Sequence, residues 1–329
     1  MDSPGNVPVS RTVDVPGLVA QARDARPRAV ARLVSLVEDA HPALREVMAA
    51  LAPHTGRGRI VGLTGSPGVG KSTATSALVR VLRARGRRIG VLAVDPSSPF
   101  SGGALLGDRI RMQEHALDPG VYIRSMASRG HLGGLSWATP QAMRVLDAAG
   151  CDDVLIETVG VGQSEVEIAS HADTTIVLLA PGMGDGIQAA KAGILEVGDI
   201  FVVNKADRDG ADATVRDLRH MISLGERREG GDWRPPVVKC VASRGEGIDE
   251  VVQALDDHEQ WARSSGALER RRLRRAASEI ETIAVTALRE RIGDLRDGQR
   301  MDQLATAVVA GTSDPYAAAD KLLADLTAS

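Results

Sequence analysis

One glycine-rich stretch carries a lysine and a serine at a spacing that could hold a polyphosphate. It is Gly65-Ser66-Pro67-Gly68-Val69-Gly70-Lys71-Ser72, which fits the pattern G-x-x-x-x-G-K-[ST]. An apolar run precedes it and a helical pattern follows, so backbone N–H groups at a helix start would face the phosphates. We expect Lys71 to reach the β- and γ-phosphates, the Ser72 hydroxyl to bind Mg²⁺, and Thr73 to complete the nucleotide-binding segment.

A second motif could select the base. Asn204-Lys205-Ala206-Asp207 follows the apolar run Ile200–Val203, and the Asp207 carboxylate could accept hydrogen bonds from the N1–H and the exocyclic amine of guanine. Adenine presents an acceptor at N1, so it would leave that carboxylate poorly paired. We expect Ala242-Ser243-Arg244, after the last apolar run, to lie against the guanine O6.

Acidic residues supply candidates for a magnesium site and for catalysis. Glu157 ends an apolar run and could contact Mg²⁺ or hold one of its waters. Asp95 and Asp108 are further metal candidates, although either could instead cap a helix or a turn. Lys71 and Glu157 are therefore candidate catalytic residues, together with Gln163, which could equally be a packing or solvated residue.

The elements that must position these residues are short apolar runs separated by helical patterns. Such a sequence predicts an α/β fold with a mostly parallel sheet covered on both faces, whose ligands lie at the carboxyl ends of the strands. Two stretches rich in Gly, Ser and Pro, 96–111 and 160–167, suit switch loops ordered by γ-phosphate and Mg²⁺. The predicted strands are Ile60–Leu63, Gly90–Val94, Val121–Ile123, Val154–Ile156, Thr175–Leu179, Ile200–Val203 and Val237–Val241.

The same pattern of apolar runs and helical segments divides the chain into three zones. Residues 1–57 form an N-terminal helical extension, residues 58–265 the nucleotide-binding domain, and residues 266–329 a C-terminal helical arm. The arm begins with a charged helix that we expect to continue to about Arg291 with one apolar stripe, and such a stripe needs a partner surface. A dimerisation arm is the simplest interpretation.

Composition limits the function classes. The 329 residues have a net charge of -3 and only 2% aromatic residues, which disfavours a nucleic-acid partner. Cys151 and Cys240 lie far apart, so we expect buried, reduced, structural thiols, as in a cytoplasmic protein. No signal pattern and no long apolar run is present, and we expect no membrane association.

These motifs together resemble the MeaB/ArgK/MMAA family of SIMIBI-class P-loop GTPases, which chaperone methylmalonyl-CoA mutase. The resemblance implies a homodimer and slow GTP hydrolysis that the mutase accelerates. It also implies that GTP gates the loading of adenosylcobalamin, which sits on the partner, and protects or reactivates the mutase. The stretches that carry the resemblance, besides the two nucleotide motifs, are 94–103, 106–109, 128–134, Glu157-Thr-Val-Gly-Val-Gly-Gln-Ser-Glu165 and 181–191.

The stretch 181–191 matches a third switch that transmits the nucleotide state to the partner in that family. By resemblance we assign Asp185, Gln188 and Lys191 to this partner switch. The chain departs from the family at Gly186, where members usually carry an acidic residue, and that loop would be looser here.

The sequence offers three alternatives to a mutase-associated GTPase. A metallochaperone GTPase for another metalloenzyme needs clustered Cys and His, whereas the histidines here are scattered. An ATP-dependent kinase or a transport-coupled ATPase is opposed by Asp207. A GTP-locked scaffold with little turnover stays open, because the sequence alone does not give the rate.

Overall fold

The structure is a computed structural model, and it describes eight stretches of the chain. These are residues 13–95, 112–115, 117–127, 138–158, 164–182, 195–224, 233–296 and 299–328. Every statement about structure below concerns these residues.

Seven parallel strands form one sheet in the order β3-β2-β4-β1-β5-β6-β7. Strands β1, β4, β5 and β6 are buried at every position, which is why they read as continuous apolar runs rather than alternating ones. The predicted α/β fold with a parallel sheet is therefore confirmed. The strands are β1 (Arg59–Thr64), β2 (Ile89–Asp95), β3 (Val121–Ala127), β4 (Asp153–Thr158), β5 (Thr174–Leu179), β6 (Ile200–Val203) and β7 (Val237–Lys239).

Helices cover both faces of this sheet. One apolar cluster joins helices α1, α2, α3 and α5 to one face, and a second joins α4 and α8 to the other. The helices are α1 (Val15–Arg23), α2 (Pro27–Glu38), α3 (Leu44–Leu51), α4 (Lys71–Ala84), α5 (Thr139–Ala148), α6 (Ser164–His171), α7 (Ala211–Leu224), α8 (Ile248–Ser264), α9 (Ala267–Arg296), α10 (Gln299–Val309) and α11 (Pro315–Ala328). Shorter helical turns span Ala52–His54, Gln113–His115 and Leu195–Val197.

The alternation of side chains along β4 decides which groups reach α4. Leu155 packs in the cluster on the α4 side, whereas Ile156 packs in the cluster on the opposite face. Because strand residues two apart share a face, Glu157 lies on the same side as Leu155 and faces α4. Glu157 is also in register with Leu63 on β1, two residues before the glycine-rich loop begins at Gly65. The carboxylate and the loop therefore meet at the carboxyl edge of the sheet.

The N-terminal helices are part of the same core as the sheet. In α2, Val30, Leu33, Val34 and Val37 are all buried, at the spacing of one helical face. Arg124 on β3 pairs with Glu38 at the end of α2, which adds a charged contact to the apolar one. The helices of the predicted N-terminal extension therefore pack against the sheet.

The chain divides into two compact units, Met1–Arg271 and Arg272–Ser329. The predicted extension 1–57 and the predicted domain 58–265 both fall in the first unit. The predicted arm, 266–329, begins six residues before the second unit does, and the three-zone division remains a prediction. Within the described residues, no helix has both the length and the apolar composition to cross a bilayer.

The second unit contains most of α9 and the helices α10 and α11. The charged helix that we expected to end near Arg291 continues to Arg296. Its apolar residues Leu273 and Ile280, seven positions apart, are 63% and 68% exposed. The face that carries them is thus open to solvent in the single chain.

Candidate nucleotide-binding site

The glycine-rich loop connects β1 to α4, as its spacing predicts. Gly65 and Gly70 adopt φ values of +139° and +94°, a region that favours glycine. A Cβ on Gly65 would collide with the backbone carbonyl of Leu178, and one on Gly70 would lie 2.5 Å from the Asn204 side-chain nitrogen. Both glycines are thus required by the backbone path and by close neighbours.

Lys71 begins α4 and folds back over the loop. Its Nζ donates to the carbonyl oxygens of Gly65, at 2.5 Å, and Ser66, at 3.2 Å. The side chain is buried, with 7% exposed. The ammonium group therefore lies inside the loop, where the oxygens of a polyphosphate would replace or join the carbonyl oxygens as acceptors.

Glu157 accepts hydrogen bonds from two hydroxyl groups of α4. Ser72 Oγ donates to Glu157 Oε1 at 2.6 Å, and Thr75 Oγ1 lies 3.0 Å from Glu157 Oε2. Glu157 is 2% exposed, so its carboxylate is held by these groups in a nearly dry setting. Hydroxyl and carboxylate oxygens beside a phosphate loop are the hard donors that Mg²⁺ prefers, and the residues present fit that ion.

The remaining predicted metal and catalytic residues cannot be placed with this pair. The backbone of Asp95 ends β2, but its side chain lies outside what the structure describes. Asp108 and Gln163 lie outside the described residues, and so do Asp185, Gln188 and Lys191 of the predicted partner switch. Among the described residues, no group of three or more His, Cys, Asp or Glu could hold a metal ion by itself.

Asn204 joins the base motif to the phosphate loop. Its Nδ2 donates to the Val69 carbonyl at 2.8 Å, and its Oδ1 accepts the Ala242 N–H at 3.0 Å. Lys205, which has a left-handed φ of +57°, donates from Nζ to the Gly68 carbonyl at 2.6 Å. The motif thus contacts both the phosphate loop and the 242–244 loop, which are distant from it in the sequence.

Asp207 lies at the rim of the same site. Arg244 Nη2 is 3.3 Å from Asp207 Oδ2, and Arg244 Nε is 3.0 Å from Glu246 Oε1. Asp207 is 43% exposed, which leaves its carboxylate accessible to a base. The structure brings Asp207 beside the 242–244 loop, as the predicted base site requires, with Ser243 exposed between Ala242 and Arg244.

A buried thiol lies beneath the base motif. Cys240 Sγ is 3.5 Å from Asn204 Oδ1, and burial raises the pKa of this thiol to about 12. The group therefore stays protonated and has no nucleophilic role at neutral pH.

The described segment 112–115, which follows the first predicted switch stretch, is attached to α4. His115 Nε2 is 3.0 Å from Ser76 Oγ, and Glu114 accepts hydrogen bonds from Ser76 and from Arg80 Nη2. The Ser76 hydroxyl, followed by Arg80, lowers the pKa of the Glu114 carboxyl. Sequence reasoning missed this anchor, because nothing in the spacing links Glu114 to Ser76.

Thr75 was also missed by the sequence analysis. The available signal was its position three residues after Ser72 on a helix, which places both hydroxyls on one face. That signal is weak without the strand register that brings Glu157 opposite the helix.

A parallel sheet with this loop, a lysine folded into it and an Asn-Lys-x-Asp motif at its rim defines the class of P-loop nucleotide-binding proteins. The profile of the family described as "Methylmalonyl Co-A mutase-associated GTPase MeaB" matches residues 30–296. The chain belongs to this family and is a P-loop GTPase.

Curated relatives agree with the family assignment. The chain is 46% identical to a putative GTPase of Pyrococcus abyssi, over 94% of this chain and 96% of that one. It is 39% identical to GTPase ArgK of Escherichia coli, over 76% of this chain and 78% of that protein. It is also 42% identical to the mouse (Mus musculus) protein named methylmalonic aciduria type A homolog, mitochondrial, over 64% of this chain and 52% of that protein.

A solved structure shares the fold. The chain is similar to the crystal structure of a LAO/AO transport system kinase, with a TM-score of 0.70 and 29% sequence identity. The match covers 97% of this chain and all of that one, at 100%. The likeness thus extends over both compact units of the chain.

Proposed function

We propose that this GTPase is a chaperone of an adenosylcobalamin-dependent acyl-CoA mutase, and specifically of methylmalonyl-CoA mutase. In this role GTP binding and hydrolysis gate cofactor loading and protect or reactivate the mutase. The observation that carries the proposal is the match of residues 30–296 to the MeaB family, whose description names the mutase association. The cobalamin belongs to the mutase and not to this chain.

The phosphate site is proposed from the loop geometry. Gly65–Thr73 would surround the polyphosphate with backbone N–H groups at the start of α4. Lys71 would turn its ammonium from the Gly65 carbonyl to the β- and γ-phosphates. The positive charge then lies where negative charge develops as the γ-phosphoryl group leaves.

The magnesium site is proposed around Ser72 and Glu157, with Asp95 and Asp108 as further candidates. Bound Mg²⁺ would supply positive charge that neutralises the polyphosphate. Ser72 would continue to donate its hydrogen bond to Glu157 while its oxygen faces the cation, because the hydroxyl oxygen has two lone pairs. Glu157 thereby orients the serine and holds negative charge beside the ion.

Guanine selection is proposed to come from Asp207, aided by the 242–244 loop. Guanine would take the face of the Asp207 carboxylate that Arg244 does not occupy, or would displace Arg244. Asn204 and Lys205 would stabilise the phosphate loop through their hydrogen bonds to the backbone carbonyls of Val69 and Gly68. Asp185, Gln188 and Lys191 are proposed as the switch that contacts the mutase.

A homodimer through the C-terminal arm is proposed as the assembly. The support is the open apolar face of α9, whose exposed members include Leu273, Ile280 and Leu288. Apolar residues seven apart on a charged helix are typical of a helix that packs against a second helix.

The test is GTP hydrolysis by the full chain, alone and with cobalamin-loaded methylmalonyl-CoA mutase. We expect slow turnover alone and stimulation of an order of magnitude or more by the mutase, because a partner can supply or position missing catalytic groups. Lys71→Ala is the control, and it should show neither turnover nor stimulation. Unchanged turnover together with no nucleotide-dependent complex would refute the chaperone function.

A further inference from the structure

Thr75 is a fully buried hydroxyl one turn along α4 from Ser72, with 0% of the residue exposed. Its Oγ1 is 3.0 Å from Glu157 Oε2, and Ser72 Oγ is 2.6 Å from the other oxygen, Oε1. Each oxygen of one buried carboxylate therefore faces a hydroxyl from the same helix.

The hydroxyl proton has two competing acceptors. Thr75 Oγ1 also lies 3.0 Å from the Lys71 carbonyl oxygen, four residues earlier in α4. A hydroxyl has one proton, so it donates to one acceptor at a time. The Lys71 carbonyl already accepts a helical N–H bond, and a charged carboxylate is the stronger acceptor. We therefore assign the hydrogen bond donated by the Thr75 hydroxyl to the Glu157 carboxylate.

We propose that Thr75 is a positioning residue for magnesium, acting through Glu157. With Oε2 anchored by Thr75, the glutamate keeps the conformation in which Oε1 accepts the hydrogen bond from Ser72. The Ser72 oxygen then presents its lone pairs to the cation at no further conformational cost. This assignment rests on the proposed magnesium and phosphate site, and it adds the group that holds the metal-facing carboxylate in place.

The length of the Glu157 side chain explains why an anchor is needed. Glutamate has one more rotatable bond than aspartate, so more side-chain freedom is lost when its carboxylate is fixed. Its extra methylene also lets the carboxylate extend from the strand to the second turn of α4. An aspartate at position 157 lacks that methylene, and we therefore expect it to lose contact with the two hydroxyls.

The experiment measures the Mg²⁺ concentration that half-saturates the binding of a fluorescent GDP analogue to the full chain. Thr75→Val removes the hydroxyl and keeps the shape, and Thr75→Ser keeps the hydroxyl. We expect Thr75→Val to raise the half-saturating Mg²⁺ concentration by about three- to tenfold, the effect of one net hydrogen bond, and Thr75→Ser to restore it. Binding of GDP without Mg²⁺ should stay within about twofold of wild type in both, because the Thr75 hydroxyl contacts the Glu157 carboxylate and the Lys71 backbone carbonyl, and neither group is proposed to touch the nucleotide.

A matched control separates this effect from the loss of a buried helical threonine. Thr214 in α7 is 5% exposed, and its Oγ1 donates to the Gly210 carbonyl four residues earlier at 3.1 Å. Thr214→Val therefore removes the same kind of backbone bond without touching Glu157. It should leave the Mg²⁺ dependence unchanged. If Thr75→Val does not fold, Thr75→Ala removes the same hydroxyl from a helix that tolerates alanine.

Glu157→Asp supplies the decisive comparison. The shorter carboxylate should raise the Mg²⁺ requirement by itself, and adding Thr75→Val to it should have no further effect, because the contact is already lost. Equal effects of Thr75→Val in both backgrounds would overturn the assignment. So would a wild-type Mg²⁺ dependence in Thr75→Val, or an equal loss of GDP affinity without Mg²⁺. A wild-type chain that binds no guanine nucleotide at any Mg²⁺ concentration would instead overturn the proposed site, and this assignment with it.

Discussion

The side-chain amide of Asn204 donates a hydrogen bond to the backbone carbonyl of Val69 at 2.8 Å. The first residue follows β6 and the second lies in the loop after β1, so one buried side chain links the base motif to the phosphate loop. The other end of the Asn204 amide accepts the Ala242 N–H at 3.0 Å. The proposed base site and the proposed phosphate site are therefore linked by the same side chain.

Replacing Asn204 by alanine should weaken both parts of the site. The change leaves the Val69 carbonyl and the Ala242 N–H without this partner, at a cost of about 1–3 kcal/mol for each buried group. We expect the GTP affinity to fall about tenfold or more, with a lower melting temperature. Nucleotide titration and thermal unfolding measure the two effects. The control is Ser223→Ala, which removes an exposed hydroxyl from α7, and wild-type GTP affinity in Asn204→Ala would contradict the linkage.

Asp207→Asn should change the base preference from GTP toward XTP. An amide can donate where the carboxylate accepted, and xanthine presents a carbonyl where guanine has its amine. Competition between GTP and XTP for a fluorescent GDP analogue measures the change. Asp209→Asn, at an exposed position two residues later, is the matched control and should keep the preference for GTP. The same preference in Asp207→Asn would mean that Asp207 does not read the base.

The ion pair between Asp199 and Arg271 should make a large contribution to stability at neutral pH. Arg271 donates to both carboxylate oxygens of Asp199 at 2.7 and 2.8 Å. His258 Nε2 lies 3.5 Å from Asp199 Oδ1. Burial opposes ionisation of Asp199, but the Arg271 hydrogen bonds and charge outweigh it and lower the pKa of that carboxyl below its ordinary 3.8. The contribution is therefore present above pH 3.8 and disappears as the pH falls through the lowered pKa.

Arg271→Met should reduce the free energy of unfolding by about 3–5 kcal/mol at neutral pH, because it leaves a buried carboxylate unpaired by its guanidinium. The difference from wild type should shrink in acid, where the variant's Asp199 becomes protonated. Denaturant unfolding across a pH series measures this. Arg263→Met, which breaks an exposed pair with Glu259, should cost about 1 kcal/mol or less. A similar small cost for Arg271→Met would show that the buried pair does not stabilise the fold.

Both cysteines should be unreactive in the native protein. Burial raises the pKa of Cys151 and Cys240 to about 12, and both thiols are free. We expect a disulfide-exchange reagent at mildly alkaline pH to label neither residue in the folded state and both in guanidinium. Rapid labelling of the native chain, located by peptide mapping, would show that one of them is accessible.

The sheet was predictable because its strands are short apolar runs. Positions in β1 and β4 are buried on both faces, so their sequences carry the signal at every residue. The end of the last strand was less predictable: the run Val237–Val241 stops as β7 at Lys239, and Val241 pairs instead with Glu246 in an isolated bridge. Tertiary contacts, and not local propensity, decide that boundary.

The site was predictable where its chemistry is local in the sequence. Lys71 and Ser72 follow their glycines at fixed spacing, and Glu157 comes at the end of a recognisable apolar run. Thr75 and the linking role of Asn204 were not predictable, because they depend on which segments the sheet order brings together. Helices α10 and α11 lie within the helical arm predicted for residues 266–329, although the sequence analysis did not give their individual bounds.

The central claim is that the loop after β1 holds a polyphosphate while Asp207 selects guanine. Calorimetric titration of the full chain with GDP and GTP in the presence of Mg²⁺, and with ADP and ATP under the same conditions, tests it most directly. We predict one guanine nucleotide bound per chain, no measurable heat with the adenine nucleotides, and loss of the GTP signal in Lys71→Ala. Equal affinity for ATP and GTP, no heat with guanine nucleotides, or wild-type binding by Lys71→Ala would contradict the account.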